Sequence, residues 1–364
     1  MRKRDRVRLG VIGVGIGKTH IEGYLSHPQA ELVALCDVNE AALAAAAAGY
    51  GVPLTFTDYR DLLALPDLDA VSVCVPNYLH APLALAALQA GKHVLTEKPL
   101  STDAKLGQKM VDAATKAKKL FMIQFNNRYR PEAQLLKQFT EAGELGEIYF
   151  ARCGWIRRNG IPGWGNWFTT QQYAGGGPLI DLAVHMLDLT WWLMGKPQPV
   201  TCLGATYQKF GPKMECLGPW GKPNLQGVYD VEDMAVGMLR FANGATILLE
   251  ASWASRIERE FVYSTLCGDL AGATLERVWD VDGIDDTSHD RLKLFRTEHG
   301  APADVDLKVE PDPMMGRTTA ARHFVDCCLG LAKPISPATD GLAIMKILDA
   351  LYQSAKTGKA VSLK

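Results

Sequence analysis

The chain has 364 residues, 48% of them apolar and 22% charged, a balance that suits two globular domains and argues against disorder, a fibrous class or a disulfide-stapled miniprotein. Its 39 basic and 40 acidic side chains leave a net charge of −1, so no global field draws it to nucleic acid or an anionic membrane. No apolar run reaches the ~18 residues of a membrane span.

The first eight residues hold five basic side chains, then run into a short strand and glycines rather than the apolar core of an export signal. They are expected to be a solvated end. The eight cysteines show no CxxC spacing, and only Cys327 and Cys328 are neighbours. Reduced thiols in a cytoplasmic protein, with neither zinc nor a disulfide framework, are the simpler reading.

From Val7 to about Gln124 short β-rich runs alternate with helical stretches, the pattern of βαβ units on a parallel sheet. Strands are expected at Val7 to Ile12, Glu31 to Cys36, Ala70 to Val75, His93 to Thr96 and Phe121 to Phe125. Helices are expected at Lys18 to His27, Asn39 to Ala48, His80 to Ala90 and Asp103 to Lys118. After Arg130-Pro131 the texture changes. A β-rich run at Glu147 to Ile156 precedes a loop dense in Gly, Pro and Trp, then one long helix from Pro178 to Met194. Asn243-Gly244 between Met234 to Phe241 and Ala245 to Trp253 is a hairpin signal. Further strands at Phe261 to Leu266, Ala273 to Glu276 and Arg291 to Phe295, and closing helices near Ala320 to Leu331 and Gly341 to Thr357, make this part α+β.

The first strand feeds Gly10-Val-Ile-Gly13-Val-Gly15-Ile-Gly17-Lys18-Thr19-His20. A glycine turn opening a helix lets backbone N–H groups and the helix dipole approach a pyrophosphate. The third glycine stands at 17, one residue short of the usual spacing, and a turn that binds nothing is the competing reading. Asp37, ending the second strand, can accept both adenosine ribose hydroxyls and would repel a 2′-phosphate, which favours NAD over NADP. Its competing role is to cap the next helix. Two later segments, Pro76-Asn77-Tyr78-Leu79-His80 and Glu97-Lys98-Pro99, follow strands and should face the nicotinamide half. Taken alone, His80 reads as a helix cap, while Lys98 reads as an amine fixed by the following proline rather than a surface charge.

These segments, with Gly175-Gly-Gly-Pro-Leu-Ile-Asp181-Leu-Ala-Val-His185-Met-Leu-Asp188, Val231-Glu-Asp-Met and Asp340-Gly-Leu-Ala-Ile-Met-Lys, resemble the Gfo/Idh/MocA oxidoreductases over nearly the whole chain. The resemblance implies an N-terminal Rossmann domain over residues 1–126. It also implies an α+β domain over 127–364, whose large, mostly antiparallel open-faced sheet binds substrate and builds a homodimer or homotetramer. It implies a cis bond before Pro99. Cofactor contacts would fall on Gly13, Gly15, Ile16, Gly17 and Asp37, and then on Val75, Pro76, Asn77, His80, Glu97 and Lys98. Lys98, Asp181 and His185 would be catalytic and would touch substrate.

Asp181 and His185 are four apart and Asp188 three further on, so a regular helix puts them on one face. A carboxylate beside an imidazole orients it and raises its pKa. A structural Asp–His pair and a metal face of Asp181, His185 and Asp188 compete with the acid/base reading, and the family motif favours catalysis without a metal. In the loop from Trp155 to Phe168, three of the eight tryptophans fall within 13 residues. Indole faces stack on sugar rings, so Arg158 and Trp164 are the expected substrate contacts, although Trp155 and Trp167 also fit core packing. Trp191 and Trp192 read as helix packing.

The expected protein is an NAD-dependent dehydrogenase of a secondary alcohol in a sugar, cyclitol or glycoside. Two alternatives are a relative that retains NAD through a net non-redox conversion, and a dinucleotide sensor without turnover.

Overall fold

The computed structural model describes residues 5–279 and 288–363. The chain opens with β1 (Val7–Ile12), α1 (Lys18–Leu25), β2 (Ala30–Cys36) and α2 (Glu40–Tyr50). Then come β3 (Leu54–Phe56), α3 (Tyr59–Leu63), β4 (Ala70–Val73), α4 (Asn77–Gln89), β5 (His93–Thr96), α5 (Ala104–Ala117) and β6 (Phe121–Ile123). All six strands run parallel in the order β3-β2-β1-β4-β5-β6. That is the doubly wound order whose ligand crevice opens where β1 and β4 part. The short β3 and α3 escape the sequence reading, because three strand residues and one helical turn carry too little periodicity.

Beyond β6 the chain forms α6 (Pro131–Glu141), β7 (Ile148–Ile156), α7 (Gln171–Ala174) and α8 (Val184–Leu193). Next are β8 (Pro199–Tyr207), β9 (Met234–Phe241), β10 (Thr246–Ser252), β11 (Phe261–Gly268), β12 (Gly272–Trp279), β13 (Ser288–Glu298) and β14 (Ala301–Leu307). It closes with α9 (Arg317–Leu329), α10 (Ala338–Thr357) and β15 (Val361–Ser362). The second sheet has nine strands, ordered β14-β13-β12-β11-β7-β10-β9-β8-β15. Among the described residues only its β7–β10 pair is parallel, and the rest are antiparallel as expected. β8 and β14 are additions to the sequence reading, as is α6, whose Pro131 stands at its start.

Two compact units divide the chain, residues 1–129 with 314–345, and residues 130–313 with 346–364. Everything after residue 126 is expected in the second domain, yet α9 lies in the first unit. There it buries Ala320, Ala321, Phe324 and Val325 in one core with Leu9, Val11, Ile21, Tyr24 and Leu35. No local pattern tells a helix which of two sheets it will cover. Among the described residues, no helix is long and apolar enough to cross a membrane.

Candidate active site

The glycine turn in the first unit fits a dinucleotide. Gly13 has φ +95°, and a Cβ on it would come within 2.0 Å of the Cys74 carbonyl oxygen. A Cβ on Gly17 would lie 2.0 Å from the Gly13 carbonyl oxygen and 2.9 Å from Val11 on β1. Gly17 thus supplies the close helix–strand approach that the third glycine makes in the longer turn. Gly15 is exposed with nothing within 4 Å of a built Cβ, and Ile16 beside it is exposed too. No side chain caps the α1 N-terminus, whereas Asn39, Asp58 and Asp103 cap α2, α3 and α5. Apart from that of Thr19, which donates to the Ile16 carbonyl at 3.1 Å, its first-turn N–H groups are offered to an anion. Asp37 accepts the Val14 N–H at 2.8 Å and the Asn39 N–H at 2.9 Å, which ties the turn to the end of β2 and leaves lone pairs for ribose hydroxyls.

Behind this turn runs a buried polar chain. The Tyr24 hydroxyl meets Ser72 Oγ at 2.5 Å, Ser72 Oγ meets His20 Nδ1 at 2.9 Å, and His20 Nε2 meets Glu97 Oε1 at 3.1 Å. The Lys98 N–H donates to Glu97 Oε2 at 3.2 Å. Burial pushes the Glu97 carboxyl up, but the His20 bond and the charges of His20, Lys98 and Arg317 outweigh it and hold the group below its ordinary value. On the other side of the cis Lys98–Pro99 bond, His80 Nδ1 lies 2.6 Å from the Pro99 carbonyl and Nε2 lies 2.8 Å from the Val75 carbonyl. Both nitrogens of this buried ring face the backbone, so His80 clamps two loops together. It does not cap α4, which starts at Asn77, and that expectation is corrected. Glu97 likewise spends its oxygens on His20 and Lys98. Lys98 itself is half-buried.

A carboxylate with a depressed folded-state pKa stabilises the fold above the ordinary carboxylate range and loses that contribution as pH falls through the depressed value. Glu97→Gln should therefore cost about 2 kcal/mol at pH 7, the order of a hydrogen bond to a charged group. The deficit should shrink as pH falls through the depressed value, where the parent Glu97 takes up its own proton. Thermal melts of both proteins across that range check the sign.

In the second unit the helix carrying Asp181 and His185 departs from expectation. Leu179–Ala183 form a π turn, and α8 begins only at Val184. Such wide turns recur at functional sites, and this one re-aims side chains relative to a regular helix. Asp181 Oδ2 accepts the indole N–H of the buried Trp253 at 2.9 Å. The His185 ring lies 5.7 Å from the Trp155 ring at 46°. Glu232 seats the helix start, accepting the N–H groups of Gly177 at 2.9 Å and Leu179 at 3.0 Å and the Tyr352 hydroxyl at 2.9 Å. The glycine run is explained by these neighbours. A Cβ on Gly176 would meet the Tyr352 hydroxyl at 1.9 Å, and one on Gly177 the Glu232 carbonyl oxygen at 2.0 Å. Asp188 is buried, while Asp181 and His185 are half-buried. Among the described residues no three His, Cys, Asp or Glu side chains gather as a metal site.

A family model described as an oxidoreductase family with an NAD-binding Rossmann fold matches residues 7–125, and a Gfo/Idh/MocA C-terminal domain model matches residues 133–270. The chain is 34% identical over 362 residues to D-glucoside 3-dehydrogenase of Escherichia coli (strain K12), spanning 98% of this chain and 97% of that one. The chain belongs to the Gfo/Idh/MocA oxidoreductase family. Levoglucosan dehydrogenase of Pseudarthrobacter phenanthrenivorans is 31% identical over 381 residues, 96% of each chain. A solved levoglucosan dehydrogenase in complex with NADH superposes with a TM-score of 0.85 over 99% of each chain at 24% identity. As a Gfo/Idh/MocA oxidoreductase the protein binds NAD on its first sheet.

Within this Gfo/Idh/MocA chain the loop residues have partners in the protein itself. Arg158 is exposed and donates to the Glu258 carbonyl at 2.9 Å, and Trp164 gives its indole N–H to the Gly211 carbonyl at 2.7 Å and stacks on Tyr229. The indole placed against His185 is that of Trp155. Glu232 lies in the Val231-Glu-Asp-Met segment of the family resemblance and Trp253 ends an expected strand, but neither pattern assigns the side chain a role at the helix start. Both act across the fold, and only the position of Trp253 just after β10 hints at a place near a strand end. Trp191 and Trp192 are buried in α8 as expected.

Proposed function

We propose that the protein oxidises a secondary hydroxyl of a sugar, cyclitol or glycoside with NAD, using Lys98, Asp181 and His185. The observation that supports this reading is a contrast in burial. All three groups are half-buried, whereas the side chains that hold them, His20, Glu97, His80, Glu232 and Trp253, are buried and tied to partners. Partly exposed titratable groups on rigid supports are the form a catalytic constellation takes.

Bound NAD supplies the acceptor for the hydride that leaves the carbinol carbon. A ring nitrogen of His185 takes the hydroxyl proton, and returns it to the carbonyl in the reverse direction. The Lys98 ammonium donates a hydrogen bond to the same oxygen and stabilises the negative charge that grows there. Asp181, fixed by Trp253 and four residues before His185, is the carboxylate that favours the imidazolium which proton transfer creates. Two of its relatives are a D-glucoside 3-dehydrogenase and a levoglucosan dehydrogenase, which makes glycosides and anhydrosugars the first compounds to try. Absorbance at 340 nm with NAD against glycosides, pyranoses and inositols tests the reading. NADH should accumulate with at least one of them, and NAD-dependent conversion of a glycoside without free NADH would replace it by the net non-redox alternative.

The outer face of the second sheet carries the proposed subunit contact. Leu203, Met238 and Leu248 stand opposite one another on β8, β9 and β10, each about two-fifths exposed, and line a concavity of about 660 Å³ with Val236 and Tyr263. An outward apolar row across three strands is a surface that a second copy would cover. Leu248→Lys should shift the sedimentation of a homo-oligomer to a smaller species while the far-UV spectrum stays that of the parent. An unchanged sedimentation coefficient would remove this face as the contact.

A further inference from the structure

A stacked ladder leads outward from His185 within the second unit. Trp155 stands next to the imidazole, the Arg157 guanidinium lies 5.1 Å from the Trp155 ring, and the Trp220 ring lies 4.2 Å beyond Arg157. Arg157 is 9% exposed and Trp220 is 38% exposed, so the ladder ends at solvent. Its middle rung is unusual. Arg157 Nε is buried without a hydrogen-bond partner, and its contact with Glu260 Oε1, at 3.5 Å, reaches an oxygen that already takes the Trp155 N–H at 2.6 Å. A guanidinium set between two indoles with a buried Nε lacking a hydrogen-bond partner is costly to keep, and an oxygen-bearing ligand beside it would offset that cost.

Trp220 is held in place. Its loop is joined to the segment after β7 by backbone bonds, with Gly160 and Ile161 donating to the Cys216 carbonyl at 3.1 Å, Gly218 to the Ile161 carbonyl at 2.8 Å, and Gly163 to the Trp220 carbonyl at 2.7 Å. At Gly160 a side chain would strike Arg157 Cδ at 2.6 Å, so the glycine leaves the guanidinium its room.

We propose that Arg157 and Trp220 form a subsite for a second sugar ring, the portion of a glycoside beyond the ring whose hydroxyl is oxidised. The inference rests on the dehydrogenase reading above and deepens it. An indole face takes the C–H face of a pyranose, and a guanidinium donates to its hydroxyls. Glu260 beside Arg157 offsets the positive charge and can accept from a hydroxyl, which favours a neutral ring over a phosphate or carboxylate.

The test compares methyl β-glucoside with cellobiose, following NADH formation and, separately, quenching of tryptophan fluorescence. Trp220→Ala should lower kcat/KM for cellobiose about 10-fold or more, mainly through KM, and change methyl glucoside by less than about 3-fold. Arg157→Lys, which keeps the charge and loses the planar fork, should move in the same direction. Equal losses on both sugars, or an unchanged cellobiose value in Trp220→Ala, would overturn the subsite. Fluorescence separates the two readings. Cellobiose quenching that Trp220→Ala abolishes supports the subsite even if no sugar yields NADH, an outcome that would instead end the dehydrogenase assignment. Quenching that Trp220→Ala leaves intact ends the subsite.

Discussion

His185→Ala and Lys98→Met are each expected to reduce turnover by about 100-fold or more while NADH binding stays within about 3-fold of the parent. Removing the imidazole leaves the hydroxyl proton without an acceptor of suitable basicity, and general-base losses of this kind run to about 100- to 10,000-fold. Lys98→Met keeps length and apolar stem but deletes the donor that stabilises charge on the reacting oxygen, which is worth a loss of similar order. The double variant sharpens the test. If both groups act on one oxygen, the second substitution should cost much less in the background of the first than alone, because groups that work as a unit are not additive. Stopped-flow rates with a reactive glycoside and fluorescence titration of NADH supply the two readouts. Near-parental turnover in both single variants would remove the mechanism.

How far the sequence reveals this arrangement depends on whether each signal is local. β1 and β5 match the expected residues throughout, since short runs of apolar β-formers between glycines and polar breaks leave little alternative. Asp37 and Lys98 are legible for the same reason, because each ends or follows a strand of a parallel sheet and such positions line the crevice. The helix from Pro178 is legible as a helix but not in its pitch. Its π turn depends on Glu232, Tyr352 and Trp253, which are distant in sequence and meet it only in the folded unit. The same holds for His80, whose two backbone partners lie in different loops, and for Arg157, which has Trp155 and Trp220 on either side of it only in the folded unit. Strands β8 and β14, at and near the two edges of the sheet, are partly exposed, so the alternation that marks a half-buried strand is blurred.

Gly15→Ala should melt like the parent and bind NADH about 10-fold more weakly or worse, whereas Gly13→Ala should lose both stability and binding. The two glycines differ in what surrounds them. Gly15 lies outside the left-handed region and has open space around a built Cβ, so a methyl group there disturbs only what comes from solvent. Gly13, at φ +95°, would drive its Cβ to 2.0 Å from the Cys74 carbonyl oxygen, and backbone cannot swing aside as a side chain can. Strain of about 1–3 kcal/mol from the conformation adds to that clash, enough to lower the melting temperature by several degrees. Gly17→Ala belongs with Gly13→Ala, because its Cβ meets the Gly13 carbonyl oxygen at the same 2.0 Å. The contrast separates a turn that merely folds from one that receives a pyrophosphate. A tight turn alone requires Gly13 and Gly17, and only a ligand requires Gly15. Undiminished NADH affinity in Gly15→Ala, measured beside an unchanged melting curve, would mean that the shortened turn does not seat the phosphates and that the α1 N-terminus has another use.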